Sequence, residues 1–198
     1  MTDTSTANPA PNPALDFLLA RRSRPARTLA LPIPSRAEVE RLLTAAARVP
    51  DHGKLEPWRF VVLTRPATDR LARLVEERGT ALGVDPEKVA KSVSQYAMAD
   101  LAVVVVQVPR PTEKVPLIEQ TYSAGAACLS LLNAATAAGW GANWLTGWPT
   151  HDATFLRDGL GLAPGETVAG VVHVGTPTME APDRPRPDTA KLTTWVEA

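Results

Sequence analysis

The sequence predicts an α+β fold: a mixed sheet flanked by helices, completed by a second copy of the chain with exchanged tails. Three observations carry this expectation. Helix-like and strand-like segments alternate along 198 residues, a length that suits one domain. LAVVVVQV (101–108) has no polar alternation before Gln107, as expected of a strand covered on both faces. The stretch Ala124–Ala138 is almost uniformly small and apolar and so needs neighbours all round, while Leu192 and Trp195 lie beyond the last strand with no core left to receive them. A homodimer with swapped tails satisfies both.

The elements follow in order. Residues 1–13 read as a disordered tail, because Asp3 and several prolines stand where a signal peptide needs a basic start and an apolar run. ALDFLLARRS predicts a short helix with Leu15, Leu18 and Leu19 on one side, running into Arg21, Arg22 and Arg24 and stopped by Pro25. Ser35 and Glu38 form a capping box ahead of Val39, Leu42, Leu43 and Ala46, which predicts a helix over Arg36–Arg48. RFVVLT (59–64) is a strand, Pro66 opens a helix to about Gly79, and Asp85-Pro86 starts another. Beyond the 101–108 strand come a helix over Tyr122–Ala138, a strand at Asn143–Thr146, a short helix at Asp152–Gly159 and a strand at Thr167–Val174. A Pro-rich extension begins at Pro177. The expected domain covers 14–180, with 181–198 an arm packing on the partner subunit.

Composition excludes several classes. The 21 Lys and Arg balance 21 Asp and Glu, so no general field attracts nucleic acid or an anionic membrane. A 44% hydrophobic, 21% charged chain can bury a core. The single Cys128 cannot form an internal disulfide, and three scattered histidines leave no zinc spacing, so no metal is expected and a reducing cytoplasm is the natural compartment. Residues 120–150 carry no charge, but Ser130, Asn133 and Thr136 interrupt them and Gly139 and Gly141 break them, which favours a buried helix followed by a strand over a membrane span.

Three fragments can carry chemistry. Arg21-Arg22-Ser23 with Arg27 gathers guanidinium forks and a hydroxyl at a helix end, as on a phosphate; spacing alone equally allows a solvated basic face. RVPDHGKLEPWRF puts Arg48 at a helix end and His52 in a Pro/Gly loop, where a histidine alone is more often just a loop residue. GWGANWLTG begins as G-x-G but lacks the third glycine and closes a helix instead of opening one, so it is a poor dinucleotide fingerprint. There is no G-x-S-x-G elbow and no phosphate loop of the G-x-x-x-x-G-K-[ST] type. Cys128 lies in the apolar helix and reads as core, and Asp51 and Glu56 read as loop charges.

Taken in order, ARRS, RVPDHGKLEPWRFVVL, SAGAACLSLLNAATAAGWGANWLTG and HVGTP resemble the nitroreductase superfamily, in its small bacterial FMN-dependent NAD(P)H nitroreductase branch. The likeness covers about 14–180. It implies a nitroreductase-like, domain-swapped homodimer with FMN in each of two interfacial clefts and NADH or NADPH as reductant. Carried over by residue, Arg21, Arg22 and Ser23 hold the FMN phosphate and ribityl end, and Arg48 and His52 reach the same flavin from the other chain. Trp144, Leu145 and Thr146 run past the isoalloxazine ring, and the helix end Ala134, Ala135, Thr136, Ala137, Ala138 and Gly139 lies near the nicotinamide. Two positions depart from the usual pattern: Leu145, where family members often carry a polar residue, and Glu56, where they often carry Gln.

The implied activity is ping-pong hydride transfer to a flat small-molecule electron acceptor such as a nitroaromatic or quinone. The cofactor does the hard step, so no side-chain general acid is obligatory. A flavin-binding or flavin-sequestering protein without nicotinamide turnover is the alternative, motivated by Trp140, Trp144 and Trp148 as a possible lid. A dehydrogenase returning electrons to oxygen is a third reading. Arg184 and Arg186 are either further phosphate contacts or an exposed arm.

Overall fold

The computed structural model describes residues 12–197, so positions 1–11 of the expected tail, and Ala198, lie outside the described residues. Helix α1 (Pro13–Ala20) starts where the Asn12 carboxamide oxygen accepts from the amides of Ala14 and Leu15, both at 3.2 Å. Its Leu15, Leu18 and Leu19 are exposed, so the apolar side predicted for it meets no core within one chain. After the two-residue strand β1 (Leu29–Ala30), helix α2 (Arg36–Ala46) opens on the expected capping box: the Ser35 amide donates to Glu38 Oε2 at 2.8 Å and the Glu38 amide to Ser35 Oγ at 3.4 Å. It ends two residues short of Arg48.

Strand β2 (Trp58–Thr64) leads into α3 (Arg65–Ala81), and α4 (Pro86–Ala97) is capped by the Asp85 carboxylate, which accepts from the amides of Glu87 and Lys88. Strand β3 (Leu101–Gln107) is buried at every position. Helix α5 (Leu117–Ala137) begins five residues before the expected start at Tyr122, with Pro116 at its N-cap and Glu119 in its first turn. Strand β4 (Gly141–Leu145) follows, then a 3₁₀ turn (Trp148–His151), a π-type turn (Phe155–Gly159), β5 (Thr167–Pro177) and a short α6 (Thr189–Leu192).

The sheet runs β1-β5-β3-β2, with β4 also pairing β5, and each of these pairs is antiparallel. β5 is the hub. It sets Val172 opposite Val103, His173 opposite Asn143, and Pro177 opposite Leu29. Beyond Val174, Gly175 is strand because Gly141 of β4 pairs there, and Thr176 and Pro177 because β1 does. At two residues, β1 is too short for its periodicity to register.

Alternation along β3 builds two cores. Val103 and Val105 pack with Val39, Leu42, Leu131 and Val172 beneath α2 and α5, and Val104 and Val106 pack with Leu71, Val75, Tyr96 and Phe155 beneath α3 and α4. Each fully buried valine contributes on the order of 1.5–3 kcal/mol of transfer energy. One side of α5 stays uncovered, with Ile118, Tyr122 and Leu129 exposed, as are Leu192, Trp195 and Val196 in the arm. No helix among the described residues is long and apolar enough to cross a membrane.

Candidate functional site

The C-terminus of α1 fixes the arginine cluster. The Arg21 amide closes the helix on Phe17 O at 2.8 Å, the chain turns extended, and the Arg24 amide then bonds Ala142 O of β4 at 2.9 Å. Arg21, Arg22 and Ser23 thereby line a cleft of about 450 Å³ together with Asn143 of β4 and with Arg184 and Arg186 of the arm. Two contacts bring the arm there: the Arg22 guanidinium pairs with Asp183, and Arg186 Nη2 donates to Leu19 O at 3.1 Å.

The cleft is cationic and only partly satisfied. Arg22 is engaged by Asp183 and donates to Arg21 O at 3.3 Å, whereas Nη1 of Arg21 is buried without a hydrogen-bond partner among the described residues. Burying an unpaired donor costs about 1–3 kcal/mol, more for a charged group, and an anion seated in the cleft removes that cost. Planar guanidinium forks and the exposed Ser23 hydroxyl are the donor set a phosphate monoester takes. The residues present therefore fit the phosphate end of FMN. Arg184 and Arg186, which the sequence left undecided, belong to the cleft wall.

β4 carries the second predicted group. Trp144 lies across β5, where a Cβ on Gly170 would overlap its indole nitrogen, so glycine is required for this packing. Leu145 and Thr146 continue beside it and border, with Tyr96 and His173, a space of about 10 Å³, the size of one water. His173 is buried, and burial pushes its pKa down to about 4, so the ring is neutral. Trp140 packs with the α2/α5 core and Trp148 with the other core, so the three tryptophans are not gathered into one lid.

Arg48 and His52 stand on a separate loop. Asp51 organises it by accepting from the amides of Leu55 at 3.1 Å and Glu56 at 2.8 Å, while Gly53, Lys54 and Glu56 adopt positive φ of 75°, 53° and 48°. Ser123 of α5 anchors both ends: its hydroxyl donates to Pro50 O at 2.7 Å and accepts from Trp58 Nε1 at 3.1 Å. His52 Nδ1 meets Glu119 Oε2 at 2.6 Å, a partner the sequence did not suggest because it lies 67 residues away. Arg48 is exposed, and no described contact joins Arg48 or His52 to the Arg21 cleft within one chain.

The end of α5 is not uniformly available. Ala135 is fully buried in the core and offers a ligand no surface, and the Thr136 hydroxyl is taken by Leu132 O at 2.8 Å, so of the six residues expected near the nicotinamide these two present neither open surface nor a free hydroxyl proton. Ala137, Ala138 and Gly139 are exposed, and Ala134 and Ala137 help line a groove of about 530 Å³ against Arg41 and Ala45 of α2. Cys128 is fully buried and its thiol is pushed up to about 12 by burial, so it is no nucleophile. Among the described residues, no three His, Cys, Asp or Glu side chains group as a metal site would require.

Known proteins share the family and the fold of this chain. The family described as Nitroreductase family matches residues 18–176. The Escherichia coli (strain K12) protein named "Putative NAD(P)H nitroreductase YdjA" is 33% identical over 168 residues, 85% of this chain and 90% of its own. A Haemophilus influenzae protein of like designation is 34% identical over 165 residues, 82% and 88% of the two chains. The fold is shared with a nitroreductase-like family protein from Bacillus cereus (TM-score 0.77, 19% identity, 97% of this chain and 100% of that one). It is shared as well with a nitroreductase with bound FMN from Bacteroides fragilis (TM-score 0.74, 21% identity, 94% and 100%). The matched span runs from the end of α1 through the sheet hub and both helical layers, and the chain belongs to the nitroreductase family.

Proposed function

We propose that this chain is an FMN-dependent NAD(P)H oxidoreductase that reduces flat, electron-poor acceptors such as nitroaromatics or quinones in a ping-pong sequence. The observation that carries the reading is the buried, unpartnered Nη1 of Arg21 in a cleft walled by arginines. The names of the curated relatives and the FMN bound by the Bacteroides fragilis structure support it.

In this reading Arg21, Arg22 and Ser23 hold the phosphate and ribityl end, and Trp144, Leu145 and Thr146 lie along the ring system, where their backbone amides donate to it. Bound FMN supplies hydride acceptance from the nicotinamide and electron donation to the acceptor. Arg48 of the partner subunit contributes a fixed positive charge beside the flavin, which stabilises negative charge without moving a proton. His52 of the partner subunit is oriented by its carboxylate neighbour on α5 and faces the same cleft. Ala134 and the exposed turn Ala137–Gly139 receive the nicotinamide side. Asp183 and Arg186 hold the start of the 181–198 arm against the end of its own α1, so the homodimer takes only the distal part of the arm on the second copy; it is supported by the exposed Leu15, Leu18, Leu19, Leu129, Leu192 and Trp195, apolar groups that one chain leaves in water. A reducing cytoplasm suits the lone thiol.

The test is direct. Purified protein is yellow, releases FMN and not FAD on denaturation, and oxidises NADH or NADPH when a quinone or nitroaromatic is supplied. Colourless protein that takes up no added FMN refutes the reading, and tight FMN binding without nicotinamide turnover establishes the flavin-sequestering alternative.

A further inference from the structure

We infer that Asp183 is an internal counter-ion of the phosphate cleft, a carboxylate that occupies Arg22 when no ligand is present and that a phosphate monoester must displace. The inference rests on the cleft reading above and adds to it a residue that sets how strongly the phosphate is held.

Three observations point to Asp183. Its carboxylate pairs with the Arg22 guanidinium, one of the two forks that converge with Ser23 on the cleft, so the carboxylate sits where a phosphate oxygen would otherwise accept. The two partners are unequal: the Arg22 side chain is 24% exposed and that of Asp183 is 80% exposed, so the arginine is held in the wall while the carboxylate can swing into water. Its immediate anchorage is short-range, since Asp183 Oδ1 also accepts from the amide of the next residue, Arg184, at 2.9 Å. Among the described residues the neighbouring Arg21 has no such counter-ion, and its Nη1 is left unpaired. One fork is thus pre-neutralised and the other is not.

The charge balance follows. An arriving phosphate monoester gains Arg21 outright but gains Arg22 only by breaking the Arg22–Asp183 pair, and the freed carboxylate is then a negative charge beside the bound anion. A flavin lacking the phosphate displaces nothing. Asp183 therefore lowers the affinity contributed by the phosphate while leaving that contributed by the rings unchanged. The same contact keeps small inorganic anions from filling the empty cleft. Screening and exposure keep the effect moderate, in the range of other exposed ion pairs, roughly two- to fivefold in affinity.

The experiment titrates flavin-free protein with FMN and with riboflavin, following quenching of flavin fluorescence, for the wild type and for D183N, R22A and R21A. A parallel arm uses inorganic phosphate to compete FMN off. Removing the carboxylate is expected to tighten FMN roughly two- to fivefold, to leave riboflavin unchanged, and to lower the inhibition constant of inorganic phosphate by about the same factor. In the R22A background, D183N is expected to have a smaller effect, because no pair is left to break and only the repulsion of the carboxylate is removed. FMN binding that is weakened or unaltered in D183N, or equal changes for FMN and riboflavin, overturns the inference. R21A and R22A report separately on the cleft: if neither loses FMN affinity relative to riboflavin, the phosphate site itself is misassigned and Asp183 falls with it.

Discussion

Lowering the pH from 7 to 5 should destabilise the protein through His173, a buried residue of the hub strand β5 that pairs with Asn143 of β4. It is the one histidine of three that is buried, and the acidic or phenolic groups bordering it are Asp100 and Tyr96. Asp100 is itself paired with Arg65. Burial lowers the histidine pKa from 6.5 to about 4, so the unfolded chain binds this proton more readily than the folded one. Stability from the neutral ring is complete above pH 6.5 and is lost as pH falls through 6.5 toward about 4. At about 1.4 kcal/mol per pH unit the full loss is on the order of 3 kcal/mol, and about 2 kcal/mol of it is already gone by pH 5. Asp152 and Glu166, held below the usual carboxylate range first by hydrogen bonds from Arg78 and Arg59, give up their contribution only at lower pH, which leaves this window to His173. Urea unfolding at pH 7 and pH 5 measures the effect in the wild type, in H173L, which keeps a similar volume, and in H173Q, which keeps hydrogen-bonding capacity without a titrating ring. Both variants should lack most of the pH-dependent loss, whatever their stability at pH 7. Equal losses in all three proteins would refute the burial argument.

Four further outcomes are expected. R21A should weaken FMN binding by about 1.5–3 kcal/mol, the range for a hydrogen bond to a charged group, while C128A leaves it nearly unchanged; equal affinities in a fluorescence titration would remove Arg21 from the phosphate site. Mixing R21A and R48A homodimers under conditions that permit subunit exchange should restore roughly a quarter of tight FMN sites, since each heterodimer has one cleft free of both changes. Labelled heterodimers that recover no tight site would show that the cleft is not shared between chains. G170A should push the Trp144 indole off β5, with a loss of about 1–3 kcal/mol in stability and a changed near-UV circular dichroism signal; an unaltered spectrum would contradict the packing. S123A strands the Trp58 indole N–H and the Pro50 carbonyl together, so a loss of about 1–3 kcal/mol is expected in denaturant unfolding, and a negligible change would mean that the loop holding Arg48 and His52 is anchored elsewhere.

The sequence by itself determined the features that are local in the chain. The capping box at Ser35 and Glu38, the Asp85-Pro86 helix start and the unbroken valine run of β3 are each written within a few residues, because a helix cap or a strand covered on both faces needs only neighbours in sequence to declare itself. The arginine cluster was legible in the same way, as charge gathered at a helix end. Tertiary structure decided everything that depends on distant partners. The two-residue β1 exists only because β5 runs on to Pro177 to pair with it, and His52 acquires Glu119 from the first turn of α5, a turn hidden from a reading that followed the uncharged stretch. Arg184 and Arg186 looked equally like a solvated arm until Asp183 and Leu19 O held that arm against α1. Ala135 and Ala137 are both small apolar residues near one helix end, yet only packing against the sheet and α2 buries the first and exposes the second. Composition cannot separate such a pair, since burial depends on which face of the helix the rest of the chain comes to cover.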